Sequence, residues 1–332
     1  MIIHLNKSIE QAKAEELGRN YEAICMHNGV QYVLVTSSKV KEADANIRSH
    51  AEAVFVTDTD IQLASKQYIS DTRTIDLGVV GIGGSTNNTV VITGPCSVES
   101  EEQIEQAAML CVELGVKVLR AGAYKPRTSP YTFQGLGLEG LKLLDKMRSK
   151  YGLKIITEVR DSTHVDEVIE YADIIQVGAK AMYDQGILRK CGKSKKAVLI
   201  KRGFGSTLQE FVQSAEFVLS SGNPDVMLCE RGIRTFETKT RFTLDLCGVA
   251  WLKQYTNLPV ILDPSHAIGY AYGVADLSRA CVAMGVDGLL IETHPNPKVA
   301  KSDAEQQLNF DQFRALHKSI AAVAAAVGKK IV

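Results

Sequence analysis

The 332 residues carry 38 basic and 38 acidic side chains, so the formal charge at pH 7 is zero, and 45% apolar against 23% charged residues lies in the globular range. Balanced charge gives no reason to invoke nucleic acid or an anionic membrane as partner, and no apolar run approaches the ~20 residues that a spanning helix requires. The opening Met-Ile-Ile-His-Leu-Asn lacks the plan of a secretory signal, and the seven cysteines, scattered from Cys25 to Cys281 without a C-x-x-C pair, read as reduced thiols, so a cytoplasmic address is expected.

The length exceeds one average domain but suits an α/β barrel with a small appendage. Residues 1–66 read as short strands IIHLN, AICMH, VQYVLVT and AVFVTD with two helical stretches between them, the βαββαβ order of a ferredoxin-like module. No catalytic cluster occurs there, which leaves a stabilising or dimerising cap and a regulatory domain as the two readings. Residues 67–88, ending in GIGGSTNN, read as a linker and a hairpin across the bottom of the barrel. Residues 89–332 then alternate apolar runs with amphipathic stretches. The runs are VVITGPC (90–96), KVLRAGA (117–123), KIITEV (154–159), IIQVGA (174–179), AVLIKRG (197–203), VMLCERG (226–232), PVILDPSH (259–266) and GLLIETH (288–294). Eight such runs, continuous as parallel strands covered on both faces are, predict a (β/α)₈ TIM barrel; an open doubly wound sheet would need a nucleotide fingerprint that is missing after the first strand.

In such a barrel the chemistry sits at the carboxyl ends of the strands. Those ends carry Cys96, then Arg120 with Lys125 and Arg127, Glu158, Lys180, Lys201 with Arg202, Glu230 with Arg231 and Arg234, Asp263 with His266, and Glu292 with His294, all expected around one mouth. For any single cation, pairing with Glu158, Glu230 or Asp263 explains it as well as ligand binding does. The group together points to a ligand with phosphate and carboxylate groups, because so many cations around one opening repel unless an anion joins them. Cys96, His266 and Glu292 stand at three separate strand ends that only a closed barrel brings together. They form a mixed donor set suited to Zn²⁺, Fe²⁺, Mn²⁺ or Co²⁺, which Asp303 after the last strand would complete. A Cys-His nucleophilic pair is the other chemical reading, but it leaves the cations unexplained.

GPCSVES, RAGAYKPRTSPYTFQGLG, KRGFGSTLQEFVQSAEFVLSSGN, LCERGIRTFE, LDPSHA and SDAEQQL resemble the 3-deoxy-D-arabino-heptulosonate 7-phosphate (DAHP) synthase family, in its short class with an N-terminal ferredoxin-like regulatory domain. The resemblance runs from about residue 88 to the end; residues 1–66 match in size and element order alone. It implies condensation of phosphoenolpyruvate with erythrose 4-phosphate, the first step of the shikimate route to aromatic amino acids. It further implies one divalent metal on Cys96, His266, Glu292 and Asp303, and phosphoenolpyruvate held by Arg120, Lys125, Lys180, Lys201 and Arg231. Lys125, Pro126, Arg127, Thr128 and Ser129 would hold the aldose phosphate. Lys125 would deliver a proton to the nascent alkoxide, with Cys96 and His266 catalytic through the metal. A homotetramer and a Tyr or Phe effector on the N-terminal module are implied by the same resemblance.

Three departures stand out. Lys180 occupies a position where the family has Arg; AIGYAYG after His266 lacks the usual arginines; and AMYDQGIL differs at Asp184, Gln185 and Gly186. They fall in loops over the mouth, so two alternatives are carried: a paralogue using another aldose phosphate such as arabinose 5-phosphate, and a non-catalytic phosphoenolpyruvate-binding sensor. The Pro-Arg-Thr-Ser loop argues against the first, and the full donor set against the second.

Overall fold

The computed structural model describes residues 1–125, 129 and 131–332. Four short strands, β1 (Ile2–Leu5), β2 (Ile24–His27), β3 (Tyr32–Val35) and β4 (Ala51–Phe55), pair antiparallel in the order β2-β3-β1-β4. Helices Gln11–Asn20 and Ala45–His50 follow β1 and β3, and Ile3, Leu5, Leu17, Leu34 and Ile47 fill the space between helices and sheet. This small sheet is separate from the main one.

All eight strands predicted for the barrel are present: β7 (Asn88–Gly94), β8 (Val118–Arg120), β9 (Lys154–Val159), β10 (Ile174–Val177), β11 (Ala197–Lys201), β12 (Val226–Glu230), β13 (Val260–Leu262) and β14 (Gly288–Glu292). Each pairs parallel with the next, and β14 returns to pair with β7 over Gly288–Glu292, which closes the TIM barrel. Before them, β5 (Thr74–Asp76) and β6 (Gly81–Gly83) form a hairpin whose Ile75, Val80 and Ile82 pack against the barrel interior. A last short strand, β15 (Lys330–Ile331), pairs with the start of β7.

Side chains of a strand alternate between its faces, and the interior obeys that period. Val90 and Ile92, Val118, Ile156, Ile174, Leu199, Cys229, Ile261 and Leu290 share one apolar cluster inside the barrel. Two residues further along the same faces come Arg120, Glu158, Lys201, Arg231, Asp263 and Glu292. The polar upper layer is thus the continuation of the apolar one. Outside, helices such as Leu208–Leu219 bury one side, Phe211, Val212, Ala215, Val218 and Leu219, and begin in a capping box between Thr207 and Glu210.

The two parts are fastened through one carboxylate. Glu216, on the helix Leu208–Leu219, accepts the backbone N–H groups of Gln62 (2.7 Å), Leu63 (3.1 Å) and Ala64 (2.8 Å). Asn257 and Arg73 donate to the carbonyl of Leu63 from the other side, each at 2.9 Å.

Candidate active site

Strand β7 ends at Gly94, whose φ of 145° belongs to glycine; a Cβ there would stand 2.1 Å from the carbonyl oxygen of Arg120. Removing that side chain lets β7 run close beside β8 and carries the chain to the buried Cys96. From the far side of the barrel, the turn after β14 brings Asp303 to the same place. Asp303 holds a left-handed backbone, φ 48°, which a residue with a side chain adopts at a cost of order 1 kcal/mol where its surroundings demand it.

Donor atoms of Cys96, Glu292 and Asp303 lie within 4.8 Å of one another. Cys96 Sγ is 3.2 Å from Asp303 Oδ2, and His266 Nε2 is 3.5 Å from Glu292 Oε1 and 4.0 Å from Asp303 Oδ2. Donors sharing one ion at ~2.0–2.3 Å stand roughly 3–4.5 Å apart, so the thiol and the two carboxylates are spaced to share a single divalent ion, and the His266 imidazole stands beside the two carboxylates. The imidazole is oriented for it. Asp263 Oδ2 lies 2.7 Å from His266 Nδ1 and 2.6 Å from Lys201 Nζ, and a carboxylate so close favours the proton on Nδ1, which leaves Nε2 facing the other carboxylates.

The charges are mutually supporting. Burial works against ionised Glu292, yet the Arg120 guanidinium, bound directly to it through NH1, holds its carboxyl below the usual range. Burial lowers the His266 pKa and keeps the imidazole neutral, the form that ligates. Burial, with the Glu292 carboxylate, pushes the Cys96 thiol up to about 12, so by itself it is a protonated thiol. That disfavours a Cys-His nucleophile, which needs a lowered thiol, and the sulfur's own partners are Asp303 and Lys125.

Against this donor set opens a cavity of about 370 Å³ lined by Lys125, Glu158, Lys180, Lys201, Arg231 and His266, together with Asp303, Arg241, Phe204 and Phe242. Four of its walls are sequence-predicted cations. Lys125, though buried, is held above its usual pKa by the carboxylates of Glu158 and Glu292, and Arg231 stacks on the Phe242 ring at 4.2 Å. Lys180 is exposed at the rim. Arg120 does not line the cavity; it stands behind, committed to Glu292. The Ser129 carbonyl accepts from Thr132 and Gln134. Pro126, Arg127 and Thr128 lie outside the described residues.

The expectation of a single mouth needs correction at four positions. Arg202 turns away to Glu230 (3.1 Å) and Asp245 (2.8 Å), Arg234 stacks over Phe204 beside a neighbouring cleft, and His294 faces Glu99 at 3.5 Å. The period of two is the reason for the first pair: Lys201 and Arg231 point inward, so the adjacent Arg202 and Glu230 point out. Sequence reasoning also passed over Arg241, Gln306 and Gln307. Arg241 comes from the long segment after β12 and crosses above Gly269, φ 77°, where a Cβ would stand 2.5 Å from the Arg241 Cβ. The loop after His266, which lacks arginines of its own, is therefore covered by an arginine from its neighbour.

Residues 60–327 match the DAHP synthetase I family. The chain belongs to that family. A phospho-2-dehydro-3-deoxyheptonate aldolase of Thermotoga maritima is 46% identical over 270 residues, 81% of this chain and 79% of the relative. A crystal structure of the phospho-2-dehydro-3-deoxyheptonate aldolase (DAHP synthase) from Thermotoga maritima superposes with a TM-score of 0.81 at 39% identity, covering 100% of this chain and 99% of that one. More distant is a 2-dehydro-3-deoxyphosphooctonate aldolase of Syntrophotalea carbinolica, 33% identical over 76% of this chain and 97% of the relative. As a member of the DAHP synthetase I family the chain is an enzyme, and no helix among its described residues is long and apolar enough to cross a membrane.

Proposed function

We propose that this enzyme condenses phosphoenolpyruvate with erythrose 4-phosphate and water to give DAHP and inorganic phosphate, with one divalent ion held by Cys96, His266, Glu292 and Asp303. The observation that carries the reading is the cation-lined cavity of about 370 Å³ opening directly on that donor set, in a chain 46% identical to a phospho-2-dehydro-3-deoxyheptonate aldolase.

Lys125, Lys180, Lys201 and Arg231 bind the phosphate and carboxylate of phosphoenolpyruvate, Arg231 through its planar fork and the lysines as point charges. Arg120 contributes from behind by fixing Glu292. The segment Lys125–Ser129 holds the aldose phosphate. A bound divalent ion supplies Lewis acidity toward the aldehyde. Carbon C3 of phosphoenolpyruvate attacks the aldehyde carbon, water adds at C2, and the bond from C2 to the phosphate oxygen breaks. Lys125, protonated and in contact with both the donor set and the cavity, gives the proton that the new alkoxide needs. His266, its Nδ1 proton held by Asp263, orients rather than abstracts. Holding both anions in one pose supplies much of the rate.

The sheet of residues 1–66 is the candidate regulatory module for a Tyr or Phe effector in a homotetramer; inhibition unchanged by its deletion would refute that role. A cytoplasmic setting agrees with the seven unpaired cysteines. The reaction is tested by following phosphoenolpyruvate absorbance with erythrose 4-phosphate or arabinose 5-phosphate as acceptor, with and without chelator. Turnover with the four-carbon sugar that stops with chelator and returns with Mn²⁺ is expected. Turnover with arabinose 5-phosphate alone would replace the aldose, and phosphoenolpyruvate binding without turnover would leave a sensor.

A further inference from the structure

Two consecutive glutamines, Gln306 and Gln307, are each 1% exposed in the turn that also carries Asp303. They reach different members of the donor set. Gln306 Nε2 donates to Glu292 Oε2 at 2.6 Å, while its Oε1 accepts from Arg241 at 2.8 Å. Gln307 Oε1 accepts the backbone N–H of Cys96 at 3.0 Å, and its Nε2 donates to the carbonyl of Ser302 at 2.8 Å. Neither amide is free to flip. A guanidinium and a backbone N–H can only donate, while a carboxylate and a carbonyl can only accept, so both partners of each amide dictate the same orientation.

Glu292 is thereby gripped at both oxygens, by Arg120 on Oε1 and Gln306 on Oε2. The Cys96 backbone is gripped by Gln307, and Asp303 precedes the pair by three residues. Arg241 adds a second link, standing 3.8 Å from Asp303 Oδ1 while it holds Gln306. Donors 207 residues apart in sequence, Cys96 and Asp303, are thus registered by one short turn.

We infer that Gln306 and Gln307 are the positioning residues of the metal centre: Gln306 sets the Glu292 carboxylate, Gln307 sets Cys96, and Arg241 fixes the orientation of Gln306. This rests on the metal reading given above. Buried amides serving only the fold would support the turn equally well with any ligand geometry; these two terminate on two different donor residues. Partners of this kind in other metal sites change metal affinity by about 10–100-fold when removed.

The test is a Co²⁺ titration of the chelator-treated full chain, read by thiolate-to-cobalt absorbance and by the dissociation constant, with the melting temperature of each apoprotein measured alongside. Gln306→Leu and the closer isostere Gln306→Met should weaken Co²⁺ binding by about 10–100-fold with the thiolate band intact at saturation. Gln307→Leu should diminish or shift that band, and Gln307→Glu, which keeps an acceptor for the Cys96 N–H, should restore most of it. Dissociation constants within twofold of wild type for both Gln306 variants, or a wild-type band in Gln307→Leu, would overturn the inference while leaving the metal centre standing. Wild-type protein that binds no Co²⁺, or binds it without a thiolate band, would remove the metal reading and this inference with it.

Discussion

The ammonium of Lys125 stands 3.1 Å from the sulfur of Cys96 and 3.1 Å from the carbonyl oxygen of the same residue. One side chain therefore touches the donor set while its outer face lines the substrate cavity. Replacing it by glutamine keeps a neutral hydrogen-bond donor on a side chain one atom shorter and removes the transferable proton. Lys125→Gln is expected to lower kcat by about 10²–10⁴-fold with a smaller change in KM for phosphoenolpyruvate. Steady-state kinetics at saturating phosphoenolpyruvate checks this; an equal loss carried by KM alone would make Lys125 a binding residue only.

Lys180 is exposed at the cavity rim, so its replacement costs the fold little. Lys180→Arg restores a planar fork and is expected to lower KM for phosphoenolpyruvate by roughly three- to tenfold, about 1 kcal/mol. Lys180→Ala should raise it by about tenfold or more. Initial rates over a range of phosphoenolpyruvate concentrations distinguish these; a KM indifferent to both changes would place Lys180 outside the binding site.

The barrel was legible because its strands are unbroken apolar runs, and the donor set because thiol, imidazole and carboxylate stood at strand ends. Reading every polar residue at those ends as one cluster failed in part where two charged residues are adjacent. Lys201 with Arg202, and Arg231 with Glu230, divide between the two faces of their strands, as alternation requires. Gln306 and Gln307 lie inside the string SDAEQQL but were not singled out, because a search by charge passes over neutral amides. Arg241 lies on a segment whose path over Gly269 is set by tertiary contact, the pairing of Arg241 N with the Ile268 carbonyl and Phe242 N with that of Ala267.

Glu216 offers a titration at the junction of the two parts. Burial pushes its carboxyl up to about 7, against the pull of the three amides it accepts from. An acid whose folded pKa is raised binds its proton more tightly when folded, so its contribution is full below about 4.5 and is lost as pH rises through about 7. Glu216→Gln should flatten that part of the stability profile. Thermal melts of both proteins between pH 4.5 and 8 are the measurement; parallel profiles would show that Glu216 does not titrate there.

Gly94→Ala places a methyl group where the Arg120 carbonyl stands 2.1 Å away, on a backbone with φ 145°. Neither the carbonyl nor the strand can move without loosening the pairing of β7 with β8. A loss of about 3 kcal/mol or more is expected from denaturant unfolding, with weaker retention of any metal because Cys96 follows two residues later. A variant as stable as wild type would show that the end of β7 tolerates displacement.

The donor set straddles the place where β14 meets β7, with Cys96 on one side and Glu292 on the other. A chain still emerging from the ribosome holds Cys96 with none of its three companions, and a nearly finished one still lacks Asp303. Capture of the proposed ion would therefore report that the circle has been completed. An ion bound across that join would act as a clasp, opposing the opening of the barrel at the one point where its first and last strands part company, so the free energy of metal binding would be spent on keeping the enzyme closed as well as on its chemistry.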